Sequence, residues 1–328
     1  MKKEDLRIIF MGTPEFAVET LRTMVENGYD VIAVVTQPDK PVGRHGSVLQ
    51  PSAVKQYAME HGLPVLQPEK MKDPVFVELL RSYRANLQVV VAFRMLPEVV
   101  WAMPEYGTFN VHASLLPNYR GAAPINWAII NGETVTGVTT FFLDRDIDTG
   151  RIIMKKSFPV PDEADVEYVY DGLMRLGAQV CLETLEAIIT ADGHPETWSQ
   201  ESEVSSNEKA LSVLKPAPKI FKETCEIDWT KTAKQVYDFV RGLSPVPGAW
   251  TTLVSPDGKE SVLKIYKMRK TGKKGLGSGA VCLDGRTLCI SAVDELLEVV
   301  GLQLAGKKRM TARDFLNGMK QVELCRVK

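Results

Sequence analysis

The sequence predicts a doubly wound α/β domain with a mainly parallel, Rossmann-like sheet, followed by a small C-terminal β-barrel of the OB-like kind. Three observations predict this. Short apolar runs alternate with longer amphipathic stretches over residues 1–190. A polar, aperiodic stretch over 191–209 then reads as a linker. Beyond it, short β-type runs separated by turns fill residues 210–328. A chain of 328 residues is long for one domain and sufficient for two.

The elements follow in order. Residues 6–11 (L-R-I-I-F-M) form an apolar run with the length of a buried strand. G-T-P turns the chain, and Thr13 and Pro14 are the expected N-cap and first residue of a helix whose apolar positions include Phe16, Leu21 and Met24. Strands are expected at 31–36, 87–93 and 108–112, with helices at about 52–61 and 74–84 between them. Such alternation implies parallel pairing through right-handed crossovers, and ligands beyond the carboxyl ends of the strands. Two further strand-like runs, 136–143 and 151–158, flank D-R-D-I-D-T-G, and a long amphipathic helix covers about 164–189. In the second half one helix is expected at about 230–242. Short strands are expected at 249–254, 261–268, 279–283, 287–292 and 297–303.

Composition narrows the class. A 45% hydrophobic and 25% charged chain is an ordinary globular one, and no apolar stretch approaches the roughly 20 residues of a membrane helix. The start, M-K-K-E-D, carries no signal-peptide pattern. Five cysteines with no C-x-x-C pair read as free thiols, which places the expected location in the cytoplasm. The net charge of −1 hides an asymmetry. Residues 1–200 hold 18 Lys and Arg against 26 Asp and Glu, whereas residues 201–328 hold 22 against 15. A basic second half suits an anionic partner, and a lysine-rich solvated surface would look the same.

Motifs exclude several chemistries. The first turn has only Gly12 of a G-x-G-x-x-G fingerprint, and Pro14 lacks an N–H that a pyrophosphate would use. No G-x-x-x-x-G-K-[ST] loop is present. D-R-D-I-D-T-G begins like a calcium loop, but the sixth position is Thr149 instead of Gly and the twelfth is Lys155 instead of Glu. Four scattered histidines and unpaired cysteines offer no zinc set, so no metal is expected. What remains is F-N-V-H at 109–112. Asn110 and His112 are two apart on an extended segment, so they share a face. An amide can stabilise a developing oxyanion and an imidazole can move a proton near neutral pH. Asp148 could orient or polarise His112. Taken alone, so short a pair reads first as a strand-end turn and a core histidine.

The longer pattern is specific. N-V-H-A-S-L-L-P-N-Y-R-G-A-A-P-I followed by D-I-D-T-G resembles the 10-formyltetrahydrofolate-dependent formyltransferases. F-M-G-T-P-E-F-A, T-Q-P-D-K-P-x-G-R at 36–44, A-P-K-I-x-K around Lys219, P-x-P-G-A-W at 245–250 and L-Q-L-A-G-K-K-R-M at 302–310 extend the resemblance along almost the whole chain. They point to the branch of that family acting on methionyl-tRNA.

The resemblance implies that Asn110, His112 and Asp148 form the active site. It implies that Ser114, Leu115, Leu116 and Pro117 contact the folate. The formyl donor would be 10-formyltetrahydrofolate, a co-substrate, and the acceptor initiator Met-tRNA. It also implies that the loop carrying Lys40 and Arg44 meets the tRNA acceptor stem. Lys264, Lys267, Arg269 and Lys270 in K-I-Y-K-M-R-K form a basic segment suited to phosphate contacts. The family often has A-Y-G after the third strand, and this chain has A-F-R (Ala92, Phe93, Arg94), departing at Phe93 and Arg94. A monomer is the default expectation. The alternatives are a formyltransferase acting on an amino sugar nucleotide or on glycinamide ribonucleotide, a dinucleotide-dependent oxidoreductase, and an RNA-binding protein with an inactive α/β domain.

Overall fold

The computed structural model describes residues 1–42, 48–203, 214–319 and 321–328. It contains two compact units. The first comprises 1–121, 136–158 and 170–216; the second comprises 122–135, 159–169 and 217–328. Among the described residues no helix is long and apolar enough to cross a membrane.

The first unit is built on strands β1 (Arg7–Gly12), β2 (Asp30–Val35), β5 (Val65–Leu66), β6 (Leu87–Val91), β7 (Thr108–His112), β8 (Val135–Phe142) and β9 (Ile152–Pro159). A separate two-stranded hairpin pairs β3 (Lys40–Val42) with β4 (Val48–Gln50). The main sheet has the order β5-β2-β1-β6-β7-β8-β9. Pairing is parallel from β5 to β7, and β7 pairs antiparallel with β8. This is the expected mainly parallel sheet. β6 is buried at all five positions because helices cover both faces of such a sheet, hence a run that is apolar but for Gln88.

The covering helices are α1 (Glu15–Glu26), α2 (Ala53–Glu60), α3 (Pro74–Ser82), α4 (Glu98–Trp101) and α6 (Val166–Thr190). The Ser52 hydroxyl caps α2 by accepting from the Lys55 N–H, and Asp73 caps α3 ahead of Pro74. The start of α1 corrects the sequence reading by one residue. Pro14, not Thr13, occupies the cap position, with φ −78° and ψ 173°. The first residue with helical backbone is Glu15, so Thr13 makes no cap. Gly12 also acquires a physical reason. A Cβ there would lie 2.7 Å from the Ala17 Cβ and 3.1 Å from the Val91 carbonyl oxygen, so the glycine lets the turn pack closely.

The second unit contains α5 (Pro124–Ile130), α7 (Ala233–Gly242), α8 (Ala312–Gly318) and a seven-stranded sheet. Its strands are β10 (Ala249–Val254), β11 (Glu260–Lys274), β12 (Val281–Asp284), β13 (Thr287–Ser291), β14 (Glu295–Leu304), β15 (Met310–Thr311) and β16 (Arg326–Val327). The order β12-β13-β14-β11-β10-β16 curls until its ends meet at an Ala280–Arg326 bridge, as a barrel requires. Trp229, Val240, Leu263, Ile265, Leu297 and Val299 fill its core. β11 runs six residues past the expected end at 268. Bulges between Ile265 and Lys267 and between Lys270 and Lys274 break the period-two signal that would have revealed this.

Candidate active site

Among the described residues, three buried polar atoms without a hydrogen-bond partner belong to the neighbouring strands β1, β6 and β7 or to the turns that follow them. Thr13 Oγ1 follows β1, Arg94 Nε lies beyond β6, and Asn110 Oδ1 is in the middle of β7. Buried polar groups are normally satisfied, so each of these is open to a polar ligand. Asn110 pairs in register with Val90 on β6 and Phe141 on β8, which places it inside the sheet.

His112 ends β7 with its side chain 7% exposed. Its Nε2 lies 2.9 Å from the Tyr119 carbonyl oxygen. A carbonyl only accepts, so Nε2 carries the proton of that bond. Nδ1 is then the end left for chemistry. It faces Asp148 Oδ2 at 3.9 Å, beyond hydrogen-bond length. An N–H or O–H group placed beside both atoms could bond to each.

Asp148 lies in the loop between β8 and β9 with φ 56°, a left-handed conformation that Asp tolerates better than most residues. Its Oδ2 accepts the Gly121 N–H at 2.9 Å. Gly150 closes the turn because a Cβ there would lie 1.6 Å from the Phe142 carbonyl oxygen. Hence the D-T-G motif joins a directed carboxylate to the one residue type that fits the hairpin. Tyr119, with φ 62°, aims its carbonyl at His112.

Sequence reasoning missed Tyr119, Gly121 and Gln200. Gln200 is 1% exposed and its amide nitrogen donates to the carbonyls of Asp148 and Gly150, each at 2.9 Å. It lies in the polar stretch after α6, whose residues up to 203 the structure describes. Trp198 and Ile152 exchange backbone hydrogen bonds there. The only hint of Tyr119 and Gly121 in the sequence is the N-Y-R-G turn itself.

The four residues after β7 differ in what they offer. Ser114 is buried and donates to the Asn118 carbonyl at 2.9 Å. Leu116 is fully buried against Phe141 and Ile152, and its N–H and carbonyl are taken by Thr139 and Lys155. Pro117 is also buried. Leu115 alone is partly exposed and lies over Gly137, where a Cβ would come within 2.5 Å of it. Arg94 donates to the carbonyls of Pro68 and Glu69, tying the segment after β6 to the one after β5, and burial lowers its pKa.

The predicted RNA-facing residues are scattered in their surroundings. Lys40 is exposed on β3, and Arg44 lies outside the described residues. Asp39 anchors the root of that loop through Lys55 at 2.7 Å and Gln67 at 2.8 Å; the Lys55 bond holds its carboxyl below the usual range. On β11, Lys264 donates to the Pro247 carbonyl, Arg269 pairs with Glu298 and Lys270 with Asp162. Lys267 is exposed and has no ion pair among the described residues. Among the described residues no group of three or more His, Cys, Asp and Glu is placed to hold a metal ion.

Comparison with known proteins identifies the family of the chain. The formyl transferase family model matches residues 6–185, and the formyl transferase C-terminal domain model matches 219–320. A methionyl-tRNA formyltransferase of Parabacteroides distasonis is 60% identical over 98% of this chain and 98% of its own length. One from Bacteroides fragilis is 53% identical over 100% of this chain and 99% of its own. HypX from Aquifex aeolicus, solved with tetrahydrofolic acid, shares the fold at TM-score 0.62 and 20% identity, covering 96% of this chain and 48% of that one. The sugar 3N-formyl transferase WlaRD aligns at TM-score 0.62 and 18% identity over 92% of this chain and 99% of its own. On its matches along nearly the full length, the chain belongs to the methionyl-tRNA formyltransferase family.

Proposed function

We propose that this protein transfers the formyl group of 10-formyltetrahydrofolate to the α-amino group of methionyl-initiator tRNA. The observation that carries the chemistry is the disposition of His112: Nε2 is held by the Tyr119 carbonyl, and Nδ1 points toward the Asp148 carboxylate. The acceptor follows from relatives of 53–60% identity along the whole chain. Formyl transfer is assigned to residues 1–190 and tRNA binding to 210–328, with 191–209 between them. A cytoplasmic monomer completes the reading.

The reaction needs no covalent enzyme intermediate. The neutral α-amine attacks the formyl carbon, and a C–N bond forms as the carbonyl oxygen takes the negative charge. Asn110 and the Nδ1–H of protonated His112 stabilise that oxygen. Asp148 balances the imidazolium charge and takes the proton leaving the amine, directly or through water. Because the Tyr119 carbonyl holds the ring, Asp148 need not orient His112 by a hydrogen bond. The oxyanion then re-forms the carbonyl as the bond from the formyl carbon to N10 breaks, and N10 takes the proton held by Asp148, directly or through water, which leaves tetrahydrofolate and the formylated acceptor.

The unpaired atoms of Asn110, Thr13 and Arg94 offer polar partners to a folate, and the exposed part of Leu115 offers an apolar one. Lys40, Arg44, Lys264, Lys267, Arg269 and Lys270 are assigned to the tRNA. The test is formyl transfer from 10-formyltetrahydrofolate to charged initiator tRNA, to amino sugar nucleotides and to glycinamide ribonucleotide. Transfer to methionyl-tRNA alone is expected. Transfer to a small nucleotide acceptor but not to methionyl-tRNA would reverse the reading.

A further inference from the structure

We propose that Gln200 is a positioning residue for formyl transfer, holding Asp148 and the loop that supports His112 in one reactive arrangement; this rests on the reading of Asp148 above. Gln200 uses its whole amide. The nitrogen donates to the Asp148 and Gly150 carbonyls, each at 2.9 Å. The oxygen accepts from Arg120 Nε at 3.0 Å and Nη2 at 2.6 Å. Arg120 lies between Tyr119, whose carbonyl holds His112 Nε2, and Gly121, whose N–H holds the Asp148 carboxylate. One buried side chain therefore joins the two loops that set the His112–Asp148 geometry.

Both loops need such a tie. Asp148 and Tyr119 each have positive φ, at 56° and 62°, which surrounding contacts must maintain. Gln200 is itself fixed by the backbone exchange between Trp198 and Ile152, and Arg151 Nε donates to Thr197 Oγ1 at 2.8 Å. Leucine in its place would keep the volume and remove every hydrogen bond. Glutamate would keep an acceptor for Arg120 and remove both donors to the carbonyls.

Steady-state formylation by the full-length Gln200→Leu and Gln200→Glu proteins, varying each substrate separately, tests the assignment. Gln200→Leu is expected to lower kcat by roughly tenfold to a hundredfold, since small misplacements cost that much, while both KM values stay within about threefold. Gln200→Glu keeps the bond from Arg120, whose guanidinium holds the new carboxyl ionised, so both carbonyls lose their donor and kcat is expected to fall as far. A loss of kcat at unchanged KM, in a protein with a native melting temperature, separates positioning from a folding defect. Native kcat in both variants overturns the proposal. Native kcat in Gln200→Glu alone overturns it if Gln200→Leu does not fold. Asp148→Asn is run alongside. Native turnover there sinks the assignment of Asp148, whereas an inactive Asp148→Asn beside fully active Gln200 variants sinks only this proposal.

Discussion

Nδ1 of His112 stands 3.9 Å from Oδ2 of Asp148, close enough for charge to be felt and too far for a direct hydrogen bond. On our reading the two groups act on the same proton movements and should behave as a unit. His112→Ala and Asp148→Asn are each expected to lower kcat by about a hundredfold or more. The double variant should be little worse than the poorer single one, as is usual for residues that work together. Single-turnover rates at saturating donor check this, and multiplicative losses would contradict it.

The loop that presents Asp148 depends on Gly150. A methyl group there would overlap the Phe142 carbonyl, 1.6 Å from the position of its Cβ, so the hairpin must open. Gly150→Ala should lower both the melting temperature and kcat, and the Asp148 loop should become accessible to limited proteolysis. A variant with native kcat and native protease resistance would show that the loop relaxes without harm.

Leu115 and Leu116 are adjacent, and the structure separates them. Leu116 is fully buried with Phe141 and Ile152, so Leu116→Ala should cost about 2–5 kcal/mol of stability. Leu115 is partly exposed over Gly137, and Leu115→Ala should raise the KM for the folate with a much smaller loss of stability. Chemical denaturation and donor titration distinguish the two. Equal denaturation midpoints for both variants would refute the division.

The main-sheet architecture was legible because a parallel sheet covered on both faces writes itself as apolar runs between amphipathic helices, as at 87–91. Asn110 and His112 were legible as a pair because strand geometry puts them on one face. Their surroundings were not legible. Gln200 meets Asp148 across 52 residues, and a polar side chain in an aperiodic stretch gives no periodic signal of burial. The Tyr119 carbonyl and the Gly121 N–H are backbone groups, which side-chain patterns do not encode. The exposed side of β11 showed its charges in sequence, but not that Lys270 and Arg269 face acidic partners far along the chain.

The Lys270–Asp162 pair carries a pH signature. The hydrogen bond from Lys270 holds the Asp162 carboxyl below its ordinary value, and the same bond raises the Lys270 pKa. For a depressed carboxyl the stabilisation is present above the unfolded value, about 3.9, and disappears as pH falls through the lower folded value. Lys270→Met should therefore lower the unfolding midpoint of the second unit at pH 6, with the difference fading in acid. In the variant, the Asp162 carboxyl should titrate nearer the ordinary range by NMR. An unchanged Asp162 titration would dismiss the pair as a source of stability.

Salt dependence of tRNA binding can separate lysines that look alike in sequence. Each phosphate contact releases counterions, so losing one lowers the slope of log affinity against log salt by about one. Lys267 is exposed and unpaired among the described residues, whereas the charge of Lys270 is already balanced by Asp162. Lys267→Ala should reduce the slope by about one, and Lys270→Ala by distinctly less. Titrations of charged initiator tRNA at several salt concentrations measure both. A larger change for Lys270 would mean that RNA phosphate displaces Asp162. The intramolecular pair would then be a resting partner exchanged on binding, and Asp162→Asn should strengthen tRNA affinity at low salt.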